Sequence, residues 1–256
     1  RQMCIRDRRI LSENVKDISM KEEKDLIKKM ILMVNPGDCR EIRETLNMTE
    51  KGTVKNSMEN YVTVLRKDPL LVGSLRYNRL TEKIDVTKVL WWNKEPCVLT
   101  NKGRKALRYF FEKYYGLFNE SVMDDALDLE AYSKEYHPIC EYLETLEWDG
   151  KERIRNVLKV YMGADDSDMV YEMLKHFMMG ALNRIYCPGC KFDEMLCLVG
   201  QQGAGKSTFF RFLALDDQWF SDSLKNLNME KPYELLRGHW ILEMSEMTAA
   251  ISAKSI

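Results

Sequence analysis

No stretch of this 256-residue chain is long and apolar enough to cross a bilayer, and no secretory signal opens it, so nothing in the sequence directs it into a membrane. Charge of one sign is also lacking: 39 basic residues stand against 40 acidic ones, with a pI near 6.4. That balance excludes a uniformly cationic surface, and any contact with DNA has to be a local patch. The seven cysteines fall at irregular spacings that make no disulfide framework, which points to a reducing, cytoplasmic setting. There are only three histidines besides, and neither His176 nor His239 has a nucleophile and an acid arranged beside it. Internal repeats and low-complexity tracts are missing too. What is present is ordinary for a globular protein: 45% apolar residues, enough to bury a core in one large domain or two small ones.

One segment carries chemistry. Gly200-Gln201-Gln202-Gly203-Ala204-Gly205-Lys206-Ser207 fits the phosphate-binding pattern G-x-x-x-x-G-K-[ST]. Met195 to Val199 reads as an apolar strand entering it, and Thr208 to Ala214 as a helix leaving it, the context that the motif requires. Glycines allow the backbone to turn its N–H groups inward around a phosphate at a helix N-terminus. Lys206 is then placed for the β and γ phosphates and the Ser207 hydroxyl for Mg²⁺, with Thr208 next in the cradle; ATP and Mg²⁺ are the expected ligands.

Hydrolysis needs acids as well. Trp240-Ile241-Leu242-Glu243-Met244-Ser245-Glu246 is a hydrophobic run finishing in two glutamates, as expected of a buried strand that brings carboxylates to the edge of a parallel sheet. Glu243 is assigned to the metal, through water, and Glu246 to the base, with the roles exchangeable; a plain strand followed by solvated glutamates is the alternative. Between Lys206 and Glu243 there is room for the loop helix, a short extended piece near Trp219 to Asp222 and a helix from Pro232 to Arg237. Neither the N-K-x-D segment of GTPases nor the L-S-G-G-Q signature of transporter-type ATPases follows.

The predicted organisation is α/β: a truncated P-loop NTPase core, a parallel sheet with flanking helices, preceded by a mainly helical segment and a small α+β module. Residues 1–8 resemble the translation of a transposon adaptor used in sequencing libraries and carry no fold information. Residues 9–37 read as a helix or linker whose helical pattern is broken at Asn35-Pro36-Gly37, 38–135 as the α+β module, and 136–256 as the ATPase domain, with a helical lead-in over 136–190 and the nucleotide-binding core over 191–256. Within the module, Met58, Tyr61, Val62 and Leu65 mark a helix stopped at Asp68-Pro69, Leu70–Tyr77 and Ile84–Trp91 short strands, and Leu107 to Tyr114 a helix closed by Gly116. The best helix runs from Ser167 to about Tyr186. The tail from Ala249 stops inside a helical pattern, as a fragment of a longer product would.

Five segments together resemble the virulence-associated protein E family: His137 to Leu143, Trp148 to Ile154, Pro188 to Asp193, the phosphate loop, and Trp240 to Glu246. The likeness spans roughly residues 40–256 and is most specific from 136 onward. It implies a P-loop ATPase similar to superfamily 3 helicases, encoded by phages, plasmids or pathogenicity islands and working in the cytoplasm of a bacterial host. It further implies a homo-oligomeric ring on single-stranded or forked DNA and a primase-type domain upstream. The nucleotide residues carry over to Gly205, Lys206 and Ser207, and the hydrolytic ones to Glu243 and Glu246. Two departures stand out: Glu230-Lys231-Pro232 replaces the family's Lys-Asp, and position 140 is cysteine. The family's sensor residue and arginine finger are expected beyond Ile256.

Two weaker patterns remain. Cys187 and Cys190 have metal-ligand spacing, and His137 with Cys140 would complete a zinc set, but a single C-x-x-C without a second well-spaced pair is a weak signal and reads first as a turn with incidental thiols. Trp91, Trp92, Tyr109, Phe110, Phe111, Tyr114 and Tyr115, interleaved with Lys102, Arg104, Lys105, Arg108 and Lys113, read first as core packing beside a solvated basic face and second as a stacking surface for single-stranded DNA. The acid pairs Asp124-Asp125 and Asp165-Asp166 read as helix N-terminal charges. Two rivals to a helicase ATPase stay open: a nucleotide-dependent kinase, and a non-hydrolysing module in which nucleotide locks a DNA-binding assembly.

Overall fold

The computed structural model describes residues 20–223 and 236–244. The chain divides into two compact units, one of Arg1–Tyr77 with Lys83–Glu135 and one of Asn78–Glu82 with Tyr136–Ile256. Helices dominate both, with a few short strands.

The first unit begins with α1 (Met20–Met33) and α2 (Pro36–Glu44). The Asn35-Pro36-Gly37 break does end α1, but it also starts α2: the Asn35 side chain accepts from the Gly37 N–H and Pro36 occupies the first turn, the position where its missing N–H costs nothing. Helix α3 (Met58–Lys67) buries Tyr61, Val64 and Leu65 and stops before Pro69. A three-stranded sheet follows in the order β1 (Leu75–Asn78), β2 (Lys83–Val86), β3 (Cys97–Val98). The strands are shorter than the sequence suggests, because residues 69–73 and 87–92 are turns and irregular chain.

Helix α4 (Asn101–Phe110) is capped by Thr100 and runs into a π-helical turn, Phe111–Tyr115, which Gly116 closes at φ +69°. Trp91 stacks on Phe110 at 4.9 Å, and Phe110, Phe111 and Tyr115 are fully buried. The aromatic cluster is therefore core, and the second reading of it as a DNA-stacking surface is corrected: its rings are used internally. Arg104 bonds Asp124 at 2.5 Å and Arg108 bonds Glu112 and Glu120. That pairing also corrects the reading of Asp124 as a helix N-terminal charge. It sits in the second turn of α5 (Glu120–Tyr132), where the macrodipole has weakened, and answers Arg104 instead.

In the second unit, α6 (Pro138–Glu144), α7 (Ile154–Met162) and α8 (Asp168–Tyr186) form the helical part. Ser167 caps α8 by accepting from Val170 N–H, and Leu174 and Ile185 of its apolar stripe are buried. Helix α9 (Lys206–Leu213) and a parallel pair of short strands, β4 (Phe220–Ser221) and β5 (Ile241–Leu242), complete it, in register Phe220 with Ile241 and Ser221 with Leu242. Ile139, Ile185, Ala214, Phe220, Trp240 and Ile241 form one apolar cluster; Leu158, Leu174 and Phe209 form another.

One expectation fails here. Residues 195–199 belong to no strand, and Val199 is 99% exposed. A strand exists only through hydrogen bonds to a neighbour, and among the described residues no neighbour runs beside this segment. The parallel sheet of the second unit is thus the β4–β5 pair. Most of the helix expected over Pro232–Arg237 lies outside the described residues, as do residues 1–8, Glu230-Lys231-Pro232 and the tail from Ala249. No helix among the described residues is long and apolar enough to cross a membrane.

Candidate nucleotide-binding site

The residues from Gly200 to Gly205 are exposed and turn tightly into α9. Gly203 and Gly205 have φ of +83° and +79°, a region that costs an L-residue about 1–2 kcal/mol. Gly205 is the N-cap residue of α9 and supplies no side-chain cap. The first bond into the helix runs from Phe209 N–H to the Gly205 carbonyl at 2.9 Å. The amides of Lys206, Ser207 and Thr208 therefore have no acceptor within the helix, as at any helix start. No heavy atom lies within 4 Å of where a Cβ on Gly200, Gly203 or Gly205 would stand, so the amide-lined face is open for an anion.

Lys206 is half-buried, and its ammonium donates to the carbonyls of Gly200 at 2.9 Å and Gln201 at 2.8 Å. The cation is thus folded across the loop it serves. The Ser207 hydroxyl, in the first turn of α9, donates to Glu243 Oε1 at 2.6 Å across 36 positions of sequence. The two expected metal-side residues are brought together. Gln202 and Ala204 form the turn, with Ala204 N–H on the Gln201 carbonyl at 3.3 Å. Glu246 lies outside the described residues.

Glu243 is placed by its strand. Its N–H donates to the Ser221 carbonyl at 2.8 Å, and Trp240 N–H to the Trp219 carbonyl at 2.7 Å, which extends the β4–β5 ladder on both sides. The strand is moored to α8 by the Trp240 indole N–H, 2.8 Å from the Ala181 carbonyl. Arg184, also on α8, donates to the carbonyls of Trp240 and Leu236, each at 3.2 Å; burial pushes its pKa down. Sequence reasoning missed this brace. The only signal was an arginine on the strongest helix of the chain, and its partners are backbone atoms more than fifty residues away, which no local pattern announces.

The residues fit a hard divalent cation. A hydroxyl and a carboxylate, both oxygen donors of the kind Mg²⁺ takes, face each other at 2.6 Å. The second carboxylate oxygen, Glu243 Oε2, is closed off from solvent with no hydrogen-bond partner among the described residues. A buried acceptor of that kind calls for a partner, and a cation or its bound water is one.

The suggested zinc set is used differently. His137 Nδ1 accepts the Cys140 N–H at 3.4 Å and caps α6, while Cys187 and Cys190 are exposed and joined by a turn, Cys190 N–H to the Cys187 carbonyl at 3.1 Å. Among the described residues no group of three or more His, Cys, Asp or Glu is arranged to hold a metal ion.

No curated protein matches the chain. Residues 143–256, the stretch that contains the phosphate loop and Glu243, match the family model described as the virulence-associated protein E-like domain. Over those residues the chain is similar to the virulence-associated protein E family.

Proposed function

We propose that the chain is a P-loop ATPase of the DNA-replication helicase type from a phage or other mobile element, binding Mg-ATP at Gly200–Thr208 and hydrolysing it to drive movement on DNA. The observation that carries this reading is the Ser207–Glu243 contact at 2.6 Å beside a buried Glu243 Oε2 that has no hydrogen-bond partner among the described residues. A glycine turn with an incidental lysine needs no acid delivered to its serine from the edge of a parallel strand pair.

In this reading the amides of the loop and of the first turn of α9 surround the phosphates, and Lys206 exchanges its two loop carbonyls for phosphate oxygens. Ser207 and Glu243 hold the cation, which when bound neutralises charge building on the transferred phosphoryl group. Glu243 or Glu246 orients the attacking water. The ring assembly, the upstream primase-type domain and the DNA strand engaged belong to the same proposal.

Calorimetry of Mg-ATP binding to the chain, with hydrolysis measured in the presence of single-stranded DNA, tests it. Lys206→Ala removes binding, and Glu243→Gln keeps binding while lowering turnover by about 10²-fold or more, the scale of a lost charge-stabilising or proton-handling group. If Glu243→Gln and Glu246→Gln leave DNA-dependent function untouched while Lys206→Ala abolishes it, the site is a nucleotide-gated assembly module and not a motor.

A further inference from the structure

Helix α8 hands the chain on through Cys187-Pro188-Gly189-Cys190, a turn with a thiol at each end. Each position suits a type II turn: proline presets φ at the second place, and glycine takes the positive φ that the third requires, +86° here. The Cys190 N–H closes the turn on the Cys187 carbonyl at 3.1 Å. A turn of this kind holds its outer Cα atoms within about 7 Å, and a disulfide spans Cα atoms about 4.4–6.8 Å apart. The backbone is therefore already folded for a bond between the two sulfurs.

Both ends of the turn are anchored. The Cys187 N–H bonds the Asn183 carbonyl at 2.8 Å, the last bond of α8. Beyond Cys190, the Phe192 ring is seated on the α8 backbone at Gly180, where an added Cβ would stand 2.3 Å from it. Little chain entropy is left to lose when a covalent loop closes here. Both thiols are exposed and so open to a dissolved reagent. The other cysteines described in this unit are placed differently: Cys140 is half-buried on α6, and Cys197 stands further along the irregular chain.

We propose that Cys187 and Cys190 form a reversible dithiol, a modification site oxidised by low-molecular-weight disulfides. One cysteine, as its thiolate, attacks a sulfur of the small disulfide and releases one small thiol. The other then attacks the protein-side sulfur of that mixed disulfide and releases the second. Two protein thiols and one small disulfide thus become one Cys187–Cys190 bond and two small thiols; the cysteines give up two electrons, the small disulfide gains them, and the two protons pass to the released thiolates. Nothing in this exchange depends on a nucleotide. In a reducing compartment the pair rests as thiols. An exposed bond closing so short a loop is readily reversed, so it follows the surrounding redox poise and is no permanent staple.

The test equilibrates the whole chain in buffers of stepped glutathione to glutathione disulfide ratio, quenches with acid, blocks the remaining thiols with iodoacetamide and maps the cysteines by mass spectrometry. In the unaltered chain the peptide that carries Cys187 and Cys190 passes in a single two-electron transition from doubly alkylated to bridged, lighter by two hydrogens and free of glutathione. Cys187→Ser abolishes that transition and leaves Cys190 to take a glutathione adduct instead; because Cys187 is exposed, the substitution spares the fold. At Gly189 an added methyl group meets open space, so Gly189→Ala acts through its positive φ alone. The reduced turn relieves that strain by opening and the bridged turn does not, so the equilibrium constant for bridging falls by up to roughly 5- to 30-fold. Glutathione adducts without a bridge in the unaltered chain, a bridge from either residue to another cysteine, or a Gly189→Ala chain that bridges as well as the unaltered one overturns the proposal.

Discussion

Trp240→Phe isolates what holds the acid in place. The indole is 4% exposed and its N–H bonds the Ala181 carbonyl at 2.8 Å. Phenylalanine keeps an aromatic ring but loses that bond, worth about 1 kcal/mol net, and roughly 60 Å² of buried apolar surface, worth about 1.5 kcal/mol at 25 cal/mol per Å². The expected loss is about 2–3 kcal/mol, below the 3–5 of a full truncation to alanine. A global melting curve would blend two units with separate cores, so it is the wrong assay. Hydrogen exchange reads the strand directly: the Glu243 amide is bonded to Ser221 and that of residue 240 to Trp219, and both should exchange roughly 30- to 150-fold faster. Amides of the first unit, such as Asp68 N–H on the Val64 carbonyl, should not change. If exchange at Glu243 is unaltered, the indole anchor does not position the acid, and the account of how β5 presents Glu243 is wrong.

Gly205→Ala places a methyl group at φ +79° in the mouth of the loop; about 1–2 kcal/mol of strain and a blocked phosphate approach should together abolish Mg-ATP binding while the far-ultraviolet circular dichroism stays helical. For His137, burial first and the Arg79 guanidinium second hold the pKa below its ordinary 6.5, and the neutral Nδ1 caps α6. The unfolded chain therefore binds this proton at higher pH than the folded one, so the contribution is complete above about 6.5 and is lost as the pH falls below it. Exchange of the α6 amides should accelerate between pH 6.5 and 5, after correction for intrinsic rates, and His137→Asn, which caps without titrating, should remove that dependence; an equal slope in both proteins would refute it.

The features legible in the sequence were those that act over one or two turns. Ser167 capping α8, Pro138 in the first turn of α6, Gly116 closing the chain after α4 and the glycine turn into α9 all stand where residue chemistry put them. The short piece near Trp219 became β4, and the hydrophobic run from Trp240 became β5 with Glu243 directly after it. That the acid meets Ser207 could be expected only from the meaning of the motif; no pattern of spacing gives a 2.6 Å contact across 36 residues. Helix α2 was missed because Asn35-Pro36-Gly37 was read as a stop alone, when the same residues are also a start.

The segment 195–199 separates these two kinds of information most clearly. Its side chains do alternate: Leu196 and Leu198 pack against the cluster of Leu158, Leu174 and Phe209, while Met195 and Val199 face solvent. Period-two burial is a local property, written in the order of residues, and it is present. The ladder is not local. It depends on another segment arriving at the correct distance and direction, a condition to which the residues themselves contribute nothing. The helix half of the phosphate motif needs no such partner, since its hydrogen bonds close within four residues. For this reason α9 and its glycine N-terminus are formed among the described residues where the strand before them is not, and the first-turn amides of α9, Lys206 and the Ser207–Glu243 pair are in place on the side of the motif that depends on the helix and on β5.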